Sequence, residues 1–202
     1  MYKSMSETWK LKLRMIALDI FDLIAFLVFV TGVVLFVRFF IFNPYTVIGK
    51  SMDPTFAESD FIIVDKVTPR RWELTRWDIV VFVPKNKTLP FIKRIVGVPW
   101  ETVRIASGAV EICSTGDMWS CEELTEYYLP QGLQTSAAAC GKTEFEVTPW
   151  WYFVLWDNRD HSTDSRCCFG LWCYSDSNYL VYPEDMIGKV LMRLYPSMDG
   201  FW

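Results

Sequence analysis

"PFIKRIVGVPWETVRIAS", residues 90–107, decides the fold. Phe91, Lys93 and Ile95 alternate with Ile92, Arg94 and Val96, the period of two that sends successive side chains to opposite faces of a strand. Val98 and Pro99 break the run, and a second one follows from Thr102 to Ser107. Similar short runs recur at FIIVDKV (61–67), DIVVFV (78–83), YFVLW (152–156), NYLVY (178–182) and KVLMRLY (189–195), separated by Pro, Gly, Asn and Asp. No long amphipathic helix appears beyond residue 43. The expected class is therefore mainly β, a mostly antiparallel, β-barrel-like domain. Residues 107–146 differ: they are polar, carry three cysteines and include TSAAACGKT. They read as an inserted smaller lobe, which leaves 43–106 and 147–202 as the two parts of the main β domain.

Working toward the N-terminus, Leu23 to Val37 carries no charge, and after Arg38 the apolar run resumes to Phe42. Those 20 residues make about 30 Å of helix, enough to cross a bilayer's hydrocarbon core. Residues 21–42 are expected to be a single transmembrane helix, with Arg38 snorkelling near one end. Lys3, Lys10, Lys12 and Arg14 precede the span, so the positive-inside rule puts residues 1–20 in the cytoplasm and the β domain on the outer face of the cell membrane. FNPYTVIGK (42–50) offers no small-x-small processing site, which favours a retained anchor over a cleaved leader.

The 202 residues carry a net charge of −4, which argues against nucleic acid as a partner. Six cysteines, Cys113, Cys121, Cys140, Cys167, Cys168 and Cys173, suit an outside location and allow 15 disulfide connectivities. The short loop between Cys113 and Cys121 makes them the favoured pair. There is no C-x-x-C and a single histidine, so neither metal nor cofactor is expected.

A hydroxyl stands out in GKSMDPTF (49–56), a polar stretch just past the span. Ser51 is a weak nucleophile unless a base accompanies it. Two bases are open on residue type alone. His161, in DNRDHSTDSR (157–166), would make a Ser-His-Asp set. Lys93 would serve if burial made it neutral. A free lysine titrates near ~10.4, so it must fall by roughly 2–3 units, at a cost of ~3–4 kcal/mol.

Five stretches now line up. GKSMDPTF resembles the S-M-x-P-T-[LF] box of bacterial type I signal peptidases. RWDIVVF (76–82) is similar to their G-D-I-V-V-F box, and FIKRIVGVPWETV (91–103) to K-R-[IV]-[IV]-G-x-P-G-D-x-V. YFVLWDNRDHSTDSRCCFG (152–170) resembles the D-N-R-x-x-S-x-D-S-R box, and VYPEDMIGKVLMRLYP (181–196) the closing strand. They occur in the family's order behind one span and cover most of 30–197 apart from the excursion. The resemblance implies a membrane-bound serine endopeptidase that removes N-terminal signal peptides from exported preproteins after a small-x-small, Ala-x-Ala-like site, by way of an acyl-enzyme. It implies Ser51 as nucleophile, Lys93 as general base and Ser162 as the hydroxyl orienting that lysine. Asp157, Arg94, Asp164 and Arg166 match residues that brace the site as ion pairs. The Ser51 backbone N–H matches one oxyanion donor. The second donor of many relatives, a serine hydroxyl, falls at Gly49, which has none. Tyr45, Val47, Ile48, Met52, Phe56 and Ile92 match the substrate pocket, with the substrate adding as a strand along 45–49. Signal peptides and the lipid bilayer are the implied partners. The rival reading is a membrane-tethered β domain that binds extended peptides without cleaving them.

The chain departs from the family at its glycines. Trp77, Trp100, Trp150 and Trp156 stand where the boxes carry glycine, and Trp172 is a fifth candidate. A type II turn after Pro99 needs a positive φ, which tryptophan adopts poorly. The expectation is that these are UGA codons, decoded as glycine in the source cell and written as tryptophan.

Overall fold

In the computed structural model the chain divides into two compact units, Met1–Ile41 and Phe42–Trp202. The structure describes residues 2–71, 74–85, 87–114, 120–137, 141–160, 163–170 and 179–201. His161, Ser162, Cys140, Cys173 and Trp172 lie outside them.

The first unit is one helix, α1 (Tyr2–Phe40), of which Trp9–Phe40 is long and apolar enough to cross a membrane. Large apolar side chains stand exposed on every side of it, from Leu11 to Phe40. A helix with no polar face suits lipid, where all its backbone groups are paired internally. The helix stops at Phe40, two residues before the expected end of the span. Phe42 instead pairs with Asp65, because Pro44 disfavours helix in the residue before it and fits an edge strand.

The second unit is mainly β and wholly antiparallel in its strand pairings. One sheet runs in the order β1 (Phe42–Thr46), β2 (Phe61–Asp65), β10 (Met186–Tyr195), β3 (Ile79–Phe82), β4 (Phe91–Gly97), β9 (Phe153–Leu155), with β11 (Asp199–Gly200) on β10. A second has the order β7 (Cys121–Glu123), β6 (Ala109–Ser114), β5 (Glu101–Ala106), β8 (Glu144–Glu146). The 107–146 excursion thus builds its sheet on β5, a strand from the preceding stretch. Ser107 and Gly108, at φ 51° and 84°, join β5 to β6 in a two-residue hairpin, the geometry in which both central residues are left-handed. Cys113 and Cys121 face each other across β6 and β7 and form a disulfide. Cys167 and Cys168 are disulfide-bonded as well.

The alternation read from 90–107 holds along β4. Phe91 and Ile95 pack on one buried cluster with Val80, Phe82, Val154 and Phe169, whereas Ile92 packs on a second with Met52, Phe56, Ile62 and Val81. The run at 178–182 departs from expectation. Among its described residues only Val181 pairs, through a single bridge to Tyr152, so it is an irregular segment rather than a strand.

Among the described residues three tryptophans adopt left-handed backbone: Trp77 at φ 77°, Trp100 at 73° and Trp150 at 69°. That region costs an L-residue roughly 1–2 kcal/mol, which is why glycine usually occupies it. Trp100 and Trp150 are 65% and 70% exposed, so little packing offsets the strain. Trp156 is not among the positive-φ residues.

Candidate active site

Ser51 rides on the loop between β1 and β2. Val47 N–H donates to the Asp60 carbonyl at 2.8 Å and Ser59 N–H to the Val47 carbonyl at 2.9 Å, closing the loop's neck. Within it, Phe56 N–H donates to the Met52 carbonyl at 2.8 Å, one helical turn that aligns Met52 with Phe56. Both are fully buried in the cluster with Ile62, Val64 and Val190. Burying such side chains stabilises by ~1.5–3 kcal/mol each, so the pair pegs the loop into the core and leaves Ser51 half-buried at its tip. Gly49, at φ 86° with open space about it, lets the chain turn just before the serine.

Lys93 sits in the middle of β4, opposite Val80 of β3, and is 2% exposed. Its Nζ lies 4.9 Å from the centre of the Phe91 ring and 4.4 Å from that of Trp156, and donates to the Ile92 carbonyl at 2.7 Å. Burial pushes its pKa down from 10.5 to about 7, against the opposing pull of the Asp164 and Asp157 carboxylates. The fall is what a lysine needs to accept a proton near neutrality. Ser51 and Lys93 line the same cleft, of about 560 Å³.

Two buried ion pairs flank the lysine. Arg94 grips Asp157 with Nε to Oδ1 at 2.9 Å and Nη2 to Oδ2 at 2.6 Å. Arg166 holds Asp164 with Nε to Oδ1 at 3.0 Å and Nη2 to Oδ2 at 2.8 Å, while Trp156 N–H donates to Asp164 Oδ2 at 3.3 Å. Asp157, Asp164 and Arg166 are wholly buried and Arg94 nearly so. Pairs of this forked kind are the form in which charge survives burial.

The loop 156–159 also holds the loop that carries Ser51. Thr55 Oγ1 donates to Asp157 Oδ2 at 2.5 Å, Asn158 N–H donates to the Ser51 carbonyl at 3.1 Å, and Asn158 Nδ2 to the Lys50 carbonyl at 3.1 Å. Thr55 and Asn158 fall inside the quoted boxes, but the sequence does not say what they bond to, since their partners lie about a hundred residues away.

Tyr45, Val47, Ile48 and Ile92 line the cleft with Ser51 and Lys93. Met52 and Phe56 do not; they lie beneath it in the core. The cleft takes further walls from Leu89, Pro90, Phe91 and Trp156. Ile48 is 85% exposed, and β1 is an edge strand paired only with β2. No cluster of three or more potential metal ligands occurs among the described residues.

A family model described as signal peptidase, peptidase S26, matches residues 20–195. Signal peptidase I P of Bacillus subtilis subsp. natto is 32% identical over 147 residues, which are 70% of this chain and 75% of that protein. Signal peptidase IB of Staphylococcus aureus (strain COL) is 30% identical over 166 residues, 79% of this chain and 81% of the relative. A crystal structure of a signal peptidase I from Enterococcus faecalis V583 aligns with 21% identity and a TM-score of 0.39, over 58% of this chain and 96% of that one.

Proposed function

The chain belongs to the signal peptidase family, peptidase S26, and on that premise we propose a membrane-anchored endopeptidase that works with a Ser51–Lys93 dyad. The observation that carries the dyad is Lys93, buried beside Phe91 and Trp156 in the cleft that Ser51 lines, with its pKa pushed down to about 7. Neutral Lys93 Nζ takes the Ser51 proton as Oγ bonds to the scissile carbonyl carbon. The resulting ammonium returns the proton to the leaving amine as the C–N bond breaks, leaving an ester on Ser51. Lys93 then draws a proton from the water that hydrolyses the ester. The Ser51 N–H is the assigned oxyanion donor; such donors contribute ~2.7–4 kcal/mol each. Gly49 brings no side-chain donor. Ser162 is assigned as the hydroxyl that orients Lys93.

The substrate is the signal peptide of an exported preprotein. It adds as a strand beside 45–49, for which the unpaired edge of β1 is suited. Tyr45, Val47, Ile48 and Ile92 offer a shallow apolar wall that accepts alanine-sized side chains and so favours Ala-x-Ala. Met52 and Phe56 support that wall from below. Lys10, Lys12 and Arg14, near the N-terminal end of the apolar helix, support an N-terminus in the cytoplasm and a cleft outside by the positive-inside rule.

The test is cleavage of a preprotein bearing an Ala-x-Ala site by detergent-solubilised full-length chain, with product sequencing, beside Ser51→Ala, Lys93→Met and His161→Gln. Cleavage after the second alanine, lost in the first two variants and kept in the third, is expected. A pH profile alone decides little, because Lys93 at about 7 lies close to an ordinary histidine near ~6.5. Loss in His161→Gln with survival in Lys93→Met would overturn the dyad. Binding of the peptide without cleavage would favour the tethered, non-cutting β domain.

A further inference from the structure

We propose that Glu126 and Tyr128, in the excursion beyond β7, are positioning residues for the Ser51–Lys93 centre, acting through Arg159 and Arg94 on the loop 156–159. The inference rests on the dyad reading, and it gives the excursion a part in the chemistry.

Arg159 is 1% exposed and points into the excursion. It is ion-paired to Glu126 and donates Nη1 to Thr135 Oγ1 at 2.9 Å and Nη2 to Tyr128 Oη at 2.9 Å. Tyr128 Oη in turn donates to Glu126 Oε1 at 2.5 Å. A charge that deep cannot stay unpaired, so the position of 159 follows Glu126. The Tyr128 ring lies against the Arg94 guanidinium, 3.9 Å from ring centre to Cζ, and Arg94 is the residue that grips Asp157. Ser136 extends the tie, its carbonyl accepting Arg166 Nη1 at 2.9 Å.

The loop held this way carries three contacts that matter to the centre. Trp156 covers Lys93, Asp157 fixes Thr55, and Asn158 N–H holds the Ser51 carbonyl. The loop is thus clamped on one side by the Ser51 loop and on the other by Glu126 and Tyr128, with Arg166 Nη2 also donating to the Arg159 carbonyl at 3.2 Å. Freed on the second side, it lets water reach Lys93. The charged groups facing Lys93 are Asp157 and Asp164, each already gripped by an arginine, so lost desolvation outweighs any change in their pull.

The experiment compares Glu126→Ala, Glu126→Gln and Tyr128→Phe in the full-length chain in detergent. It measures kcat and KM on an Ala-x-Ala peptide, thermal unfolding, and the Lys93 titration by carbon-13 NMR of its side chain. The expected result for Glu126→Ala is a fall in kcat of about 10- to 100-fold with KM unchanged and an upward move of the Lys93 titration. Glu126→Gln, which keeps an acceptor, recovers part of both. Tyr128→Phe, which keeps the ring on Arg94, gives a smaller effect of the same sign. Variants that unfold earlier yet keep kcat and the Lys93 titration overturn the proposal. If Glu126→Ala does not fold, Tyr128→Phe decides on the same readouts. If the unmodified chain cleaves nothing, the dyad reading has failed, and the NMR titration alone still decides positioning: an upward move supports it and no move overturns it.

Discussion

Replacing Lys93 by methionine is expected to abolish cleavage and make the protein more stable. The lysine's pKa falls from 10.5 to about 7 on folding. At ~1.36 kcal/mol per unit, about 5 kcal/mol is held against the fold wherever the unfolded chain binds a proton that the native one binds reluctantly. The group is 2% exposed, so solvent screening discounts little of it. The Phe91 and Trp156 ring faces return ~0.5–2 kcal/mol to the cation, and the bond from Nζ to the Ile92 carbonyl contributes ~1 kcal/mol that methionine forgoes. The sign with pH is fixed by the direction of the shift. Below pH 7 both states are protonated and the full penalty applies. Between pH 7 and 10.5 the unfolded state holds more protons than the native one, so the parent gains stability as pH rises. The expected advantage of Lys93→Met is therefore about 2–4 kcal/mol at pH 6, shrinking toward zero or below by pH 10. Urea unfolding of full-length parent and variant in the same detergent, followed by tryptophan fluorescence at pH 6, 8 and 9.5, measures it. Other titrating groups cancel in the difference. A variant less stable than the parent at pH 6, or a difference independent of pH, would refute a buried, neutral-leaning lysine and remove the base from the proposed mechanism.

Trp100→Gly and Trp150→Gly should each stabilise by about 1 kcal/mol, since relief of left-handed strain exceeds the entropy glycine adds to the unfolded chain. Trp150→Ala should show no such gain, and peptides of the protein isolated from its own cells should carry glycine at 77, 100, 150 and 156 by mass; tryptophan there, or no gain in melting temperature, ends the recoding reading. Cys113→Ser with Cys121→Ser should cost about 2–3 kcal/mol from the small loop the disulfide closes. Cleavage at low temperature should persist, because that disulfide ties β6 to β7 rather than any wall of the cleft.

The strands, and the meeting of Ser51 and Lys93 in one cleft, were legible because each is announced locally. Alternation along 91–97 marks the β4 faces, and Ser51 and Lys93 sit inside dense local boxes. Met52 and Phe56 were read as pocket wall, yet their spacing of four is one helical turn, and the turn drives both side chains into the core. The run at 178–182 has strand composition without a strand, since composition says nothing of whether a partner edge is there to pair. Least legible were Glu126, Tyr128 and Thr135. They lie in a polar stretch with no period, and their worth is set by Arg159, some 24 to 33 positions later in the chain. A buried arginine's partner is a property of the fold, not of the neighbourhood in sequence.

The tryptophans that stand at the family's glycine positions differ in what glycine would change. At 77, 100 and 150 the demand is conformational: the backbone is left-handed, and it would be so whatever side chain stood there. Residue 156 has no such φ. Its side chain lines the cleft and covers Nζ of Lys93, so a replacement there acts through the surroundings of the lysine. The two cases have different consequences. Glycine at 100 and 150, both exposed, relaxes the fold and leaves the centre as it is, whereas glycine at 77 also removes a ring that packs on Tyr128. Glycine at 156 removes a ring from the lysine's cover, deepens the cleft on the substrate side, and weakens the desolvation that is the largest cause of the lowered pKa. The stability of this protein and the lowered pKa of Lys93 thus answer to the same kind of replacement acting through separate physics, backbone strain in one case and dielectric surroundings in the other.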